Sequence, residues 1–84
     1  MLTRPLAKLV MLMEDEDDIA RLLAHQLESS GFRIYRPARP HSLISDAEDD
    51  RPALFILDLM PPEVDGFQLC RSIRDHPSLR DVPI

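Results

Sequence analysis

Apolar and polar positions alternate along this chain in blocks that switch between two periods. Leu9-Val10-Met11-Leu12-Met13 is a continuous apolar run, expected of a central parallel strand covered on both faces, and the strand is read from Lys8 to Met13. It ends abruptly in Glu14-Asp15-Glu16-Asp17-Asp18. Ile19, Leu22, Leu23 and Leu27 then recur at helical spacing, with Ala20 and Ala24 keeping the same side slim. Asp17 or Asp18 is the expected N-cap, and Gly31 after Ser29-Ser30 the expected stop. Phe32-Arg33-Ile34-Tyr35-Arg36 alternates apolar and basic residues, as a half-exposed second strand would.

Pro37 and Pro40 break the chain before a short helix over 41–49 that turns Leu43, Ile44 and Ala47 inward. Arg51-Pro52 leads into a third strand, Ala53 to Leu57, which runs into Asp58 and a proline-rich turn. Phe67 to Asp75 reads as a helix with Phe67, Leu69, Cys70 and Ile73 as its apolar residues. Asp65 beside Gly66 is suited to a turn and a helix cap. Pro77 ends the helix, Leu79-Arg80-Asp81 connects, and Val82-Pro83-Ile84 begins another strand. The apolar stripes of both main helices are expected to lie in the core. Strands alternating with helices imply right-handed crossovers and a parallel sheet.

Two strands of this kind each deliver carboxylates to the crevice beyond their carboxyl ends, where open α/β sheets place their ligands. If they are parallel neighbours, Glu14, Asp15 and Asp58 converge on one small site. Carboxylates that close need a counter-charge, and a divalent cation is the usual one. An EF-hand reading of the acidic run fails, because no glycine or terminal bidentate glutamate stands where that loop needs them. Glu16 and Asp17 are solvated charges favouring the helix N-terminus. His25, His41 and His76 are too scattered for a ligand set, and Cys70 is expected to be a small buried apolar residue.

Composition narrows the classes further. The 84 residues suffice for one small domain, and a hydrophobic share of 44% permits a core. A formal net charge of -5 disfavours direct nucleic-acid or membrane-surface binding. The lone Cys70 permits no internal disulfide, as in a reducing cytoplasm, and no apolar run approaches a membrane span.

In this order the pieces resemble the receiver domain of bacterial two-component response regulators. The resemblance rests on the strand and acid pair from Leu9 to Asp15, the Asp18-Ile19 helix start, and Ile56-Leu57-Asp58-Leu59-Met60. Pro62, Asp65-Gly66-Phe67 and the stretch from Pro77 to Val82-Pro83-Ile84 extend it. It implies an α/β, flavodoxin-like parallel sheet in the order 2-1-3 with two to three flanking helices. Residues 1–84 would be an incomplete receiver lacking the fourth strand onward, without the Thr or Ser and the Lys that close later strands. Lys8, the only lysine, precedes the first strand.

The resemblance also assigns roles. Asp58 matches the phosphoacceptor, Asp15 and Glu14 the Mg²⁺-binding acid pair, and Met60 the position whose backbone carbonyl ligates the metal. A sensor histidine kinase would be the donor, an unknown output domain or effector the recipient, and the module a cytoplasmic switch rather than a turnover enzyme. Pro61-Pro62 departs from the family's usual single proline, removing an amide N–H beside the acceptor. The alternative is a degenerate receiver that serves as an interaction or dimerisation scaffold without phosphate. A haloacid dehalogenase phosphatase fits less well, since Met60 stands where its second aspartate belongs. A bare, apolar third-strand edge would in addition favour a homodimer.

Overall fold

The computed structural model describes residues 7–58 and 65–84. Three strands, β1 (Leu9–Glu14), β2 (Arg33–Tyr35) and β3 (Leu54–Asp58), form a parallel sheet in the order β2-β1-β3. The helices are α1 (Asp17–Ser29), α2 (Leu43–Asp49, entered through a 3₁₀ turn over Pro40–Ser42) and α3 (Gly66–Asp75). This is the expected flavodoxin-like arrangement, in the expected strand order.

β1 is buried along its whole length, as a central strand covered on both faces must be. Side-chain alternation divides its contacts between two layers. Leu9, Met11 and Met13 join Leu43 and Ala47 of α2, Phe55 of β3 and Ile73 of α3 in one hydrophobic cluster. Val10 and Leu12 face the opposite layer, where α1 packs on β1 and β2. Ala20 is the buried residue of α1, its small side chain allowing close approach to the sheet.

Several local expectations change. The N-cap of α1 is Glu16, which makes no side-chain capping bond, so Asp17 and Asp18 lie in the first turn and meet the helix dipole as charges. Leu22 is 60% exposed and Phe67 85%, so the stripes of α1 and α3 are only partly core. Cys70 is half-buried rather than enclosed. β1 and β3 each run one residue further than expected, so Glu14 and Asp58 are the last residues of their strands and not loop positions.

The largest revision concerns the segment after α3. Leu79 and Val82, expected in a connector and a nascent strand, are fully buried in the main cluster. Arg74 Nη1 donates to the carbonyls of Arg80 (2.6 Å) and Val82 (2.7 Å), drawing this segment back along the helix. Phe55 N donates to Pro83 O at 2.9 Å. The outer edge of β3 is therefore engaged at Phe55, and the bare apolar edge anticipated from sequence is not observed there.

Asp65 caps α3 as expected, its carboxylate accepting from the amides of Phe67 (3.0 Å) and Gln68 (3.4 Å). Gly31 terminates α1 with φ of 98° and donates to Glu28 O at 3.0 Å, while Phe32 N returns to Leu27 O at 3.1 Å. Nothing lies within 4 Å of a Cβ built at this position. Gly31→Ala therefore isolates backbone strain from steric clash. It should destabilise the chain by about 1–2 kcal/mol, the cost of left-handed backbone for an L-residue, read as a lower urea midpoint with an unchanged m-value.

Candidate functional site

The site follows from register. β1 and β3 pair in parallel with Val10 opposite Leu54, Leu12 opposite Ile56 and Glu14 opposite Asp58. Directly paired residues of neighbouring strands share a face, so the two carboxylates stand side by side at the carboxyl edge of the sheet. The apolar pairs beneath them cannot slip by one residue without turning the whole strand inside out.

Burial differs sharply between the two acids. Glu14 is only 8% exposed, whereas Asp58 is exposed and accessible to a reactant. Glu14 Oε1 accepts from Glu16 N at 3.3 Å, but Oε2 is buried with no hydrogen-bond partner. Burial pushes the Glu14 carboxyl above its ordinary range, and the adjoining Asp58 carboxyl and the Asp15 charge push in the same direction; the Glu16 amide opposes them. As an acid, Glu14 can share a hydrogen bond with Asp58. As a carboxylate, it leaves one oxygen unsatisfied beside like charges.

That unsatisfied oxygen is what a hard cation would relieve. Among the described residues no group of three acidic, histidine or cysteine side chains forms a metal cluster by itself. Mg²⁺ does not require one, because it commonly uses one or two carboxylates and keeps several waters. Glu14 and Asp58 fit that partial donor set, and the exposed Asp15 is near enough for its charge to act on Glu14. Met60, whose carbonyl was expected to complete the set, lies outside the described residues, as do Pro61 and Pro62.

Arg36 is a further residue at this edge that the sequence reading passed over. Its Nη2 contacts Asp17 Oδ1 at 3.1 Å and, more weakly, Glu14 O at 3.5 Å. It ties the end of β2 to the turn that carries the acid pair. The alternating basic positions of 32–36 gave the only hint, since the parallel pairing of β1 and β2 is what carries that arginine to the acidic turn.

A raised folded-state pKa means that folding favours protonated Glu14, so this residue's contribution weakens as pH climbs from about 4.5 through the folded value. Glu14→Gln keeps the acceptor for Glu16 N and removes the charge. In the presence of a chelator it should raise the urea midpoint at pH 7 and leave it nearly unchanged at pH 4. Equal midpoints for both proteins at pH 7 would show that Glu14 is not under strain.

Comparison with known proteins agrees with this geometry. The family model described as response regulator receiver domain matches residues 10–84. The alkaline phosphatase synthesis transcriptional regulatory protein PhoP of Bacillus subtilis is 33% identical over 69 residues, covering 82% of this chain and 29% of that protein. The transcriptional regulatory protein GltR of Pseudomonas aeruginosa is 36% identical over 75 residues, covering 89% and 31%. The chain thus spans about a third of the length of these relatives. Among solved structures, the signal receiver domain of a histidine kinase from Syntrophus aciditrophicus superposes with a TM-score of 0.81 at 32% identity, over 92% of this chain and 58% of that one. The Mn²⁺-bound form of response regulator Rcp1 gives 0.76 at 25% identity, over 90% and 61%. A parallel sheet that ends in paired acids and a family model spanning nearly the whole chain lead to one conclusion: this chain belongs to the response regulator receiver domain family.

Proposed function

We propose that Asp58 is the phosphoacceptor of a two-component switch. The observation that carries this reading is the register: an exposed carboxylate at the end of β3 stands directly opposite a buried, partly unsatisfied one at the end of β1. In the proposed step an Asp58 carboxylate oxygen attacks the phosphorus of a phosphohistidine on a sensor kinase. The P–O bond forms as the P–N bond breaks, and the leaving imidazole takes up a proton. The product is an aspartyl phosphate, and the electrostatic burden of bringing two anions together dominates the barrier.

Glu14, Asp15, Asp58 and the Met60 carbonyl would hold Mg²⁺, and the Mn²⁺-bound relative supports a divalent ion in this role. Such an ion supplies positive charge to the crowded carboxylates and to the incoming phosphoryl oxygens. Glu14 is held in place by the buried β1 beneath it and by the Glu16 amide. Asp58 offers its carboxylate to the exterior, where a kinase must reach it. Arg36 steadies the intervening turn through Asp17.

In this reading the module is spent once per phosphorylation and does not turn over substrate. It works in the cytoplasm, and no described helix is long and apolar enough to cross a membrane. Residues 1–84 supply the acceptor half of a receiver, whose later strands would add the hydroxyl and lysine partners of the phosphoryl group. The output belongs to another part of the protein, as the transcriptional names of PhoP and GltR suggest for those proteins. A homodimer through β3 would have to use the Leu57–Asp58 end, because Phe55 is already engaged.

Incubation of the full gene product with acetyl phosphate and Mg²⁺ tests the assignment. Intact mass should show one added phosphoryl group that hydroxylamine removes. Asp58→Asn should abolish it, and a chelator should suppress it in the unsubstituted protein. Mg²⁺ alone should also raise the unfolding free energy, by about 2.7 kcal/mol at a hundredfold excess over its dissociation constant. A phosphoryl gain that survives Asp58→Asn would refute the assignment.

A further inference from the structure

The opposite side of the sheet carries a second recognition feature. β2 is the terminal strand in the order β2-β1-β3, paired with β1 along one side. Beside this strand runs a groove of about 590 Å³ whose apolar lining includes Leu9 and Met11 of β1 together with Phe32 and Ile34. α1 borders it on one face of the sheet through Glu28, and α2 on the other through Asp46 and Asp49. The groove therefore runs from the α2 face of the sheet, where Leu9 and Met11 of β1 also line it, around the edge of β2 to Glu28 of α1.

Backbone direction makes the edge usable. Arg33 N donates to Lys8 O at 2.9 Å, so the amide of Arg33 points towards β1. The alternation of a parallel ladder then turns the N–H and C=O of Ile34 outward into the groove. Such an edge accepts an added strand whose main chain supplies the hydrogen bonds, while pockets for alternate side chains set the preference.

Charge selects the occupant. The lining holds four carboxylates (Glu28, Asp46, Asp49 and Asp50) against one guanidinium, that of Arg33. Arg33 is itself engaged, at 3.4 Å from Asp50 Oδ2 and 3.0 Å from Ala7 O. Asp46 accepts from Tyr35 Oη at 2.9 Å, which ties α2 to β2 along the groove. An acidic rim above an apolar lining complements an extended segment that alternates basic and apolar side chains, and repels an acidic one.

We propose that the open edge of β2 binds an extended, basic segment of a partner polypeptide by strand addition. This surface lies on the strand furthest from Asp58, and the proposal does not rest on Asp58 being the acceptor.

A dye-labelled peptide alternating lysine and valine, titrated into the full protein, tests it by fluorescence anisotropy and by backbone amide NMR. Saturable binding is expected, with a shift and slowed hydrogen exchange at the Ile34 amide. Affinity should fall about tenfold between 20 mM and 200 mM salt, because the rim charges are solvent-screened. Asp49→Lys, a surface change, should weaken binding by about the same factor. Ile34→Pro should abolish it while leaving the β1 ladder intact; were that variant unfolded, the Asp49→Lys result decides alone. Equal binding of a glutamate–valine peptide, or full competition by free lysine at equal concentration, would overturn the proposal. So would Ile34 shifts that depend on protein concentration alone, which would assign the edge to a second copy of the chain.

Discussion

The structure depends on the pairing of β1 with β3, because the hydrophobic and acidic parts of both strands are set by the same register. Val10, Met11 and Leu12 oppose Leu54, Phe55 and Ile56, and that apolar match fixes the alignment with no latitude for a one-residue slip. The last rung, Glu14 opposite Asp58, inherits its position from the rungs below. Two like charges are held together by burial that occurs elsewhere along the strands. Isolated from that ladder, the pair would separate; within it, the acids have no freedom to do so.

The sequence made the elements and their order legible because each strand is announced by an unbroken apolar run and each helix by a helical stripe. The βαβ alternation implied a parallel sheet and the apolar faces of β1 a central strand, while the full order 2-1-3 came from the resemblance to receiver domains. The acid pair and Asp58 were legible for the same reason, since a carboxylate immediately after a fully apolar run must emerge at a strand end. What sequence could not reveal was how apolar residues divide between core and surface. Phe67 and Ile73 are both apolar residues of α3, yet one is 85% exposed and the other fully buried. Period alone does not give the rotation of a helix against its sheet.

Long-range contacts were hidden for a different reason. Leu79 and Val82 sit among polar residues and proline and show no period, so their burial follows from Arg74 gripping the carbonyls of Arg80 and Val82 and from the Phe55–Pro83 bond. Arg36 likewise gains its meaning only through the parallel pairing of β1 with β2, which brings residue 36 beside a turn some twenty residues earlier. Such contacts are consequences of topology, and local patterning does not name their partners.

The unsatisfied oxygen of Glu14 and the apolar register beneath it are two sides of one arrangement. Burial of β1 supplies the rigidity that positions the acids, and the same burial strips water from one of them and raises its proton affinity. A more solvated Glu14 would remove the strain but would also place the carboxylate on a mobile turn, with less hold on a cation. A fully apolar residue there would leave Asp58 without an acidic neighbour on β1. The strained pair is therefore the electrostatic consequence of strand-end burial. It divides the two acids by environment: Asp58 lies at the exposed end of β3, while its buried neighbour is fixed by the strand beneath it.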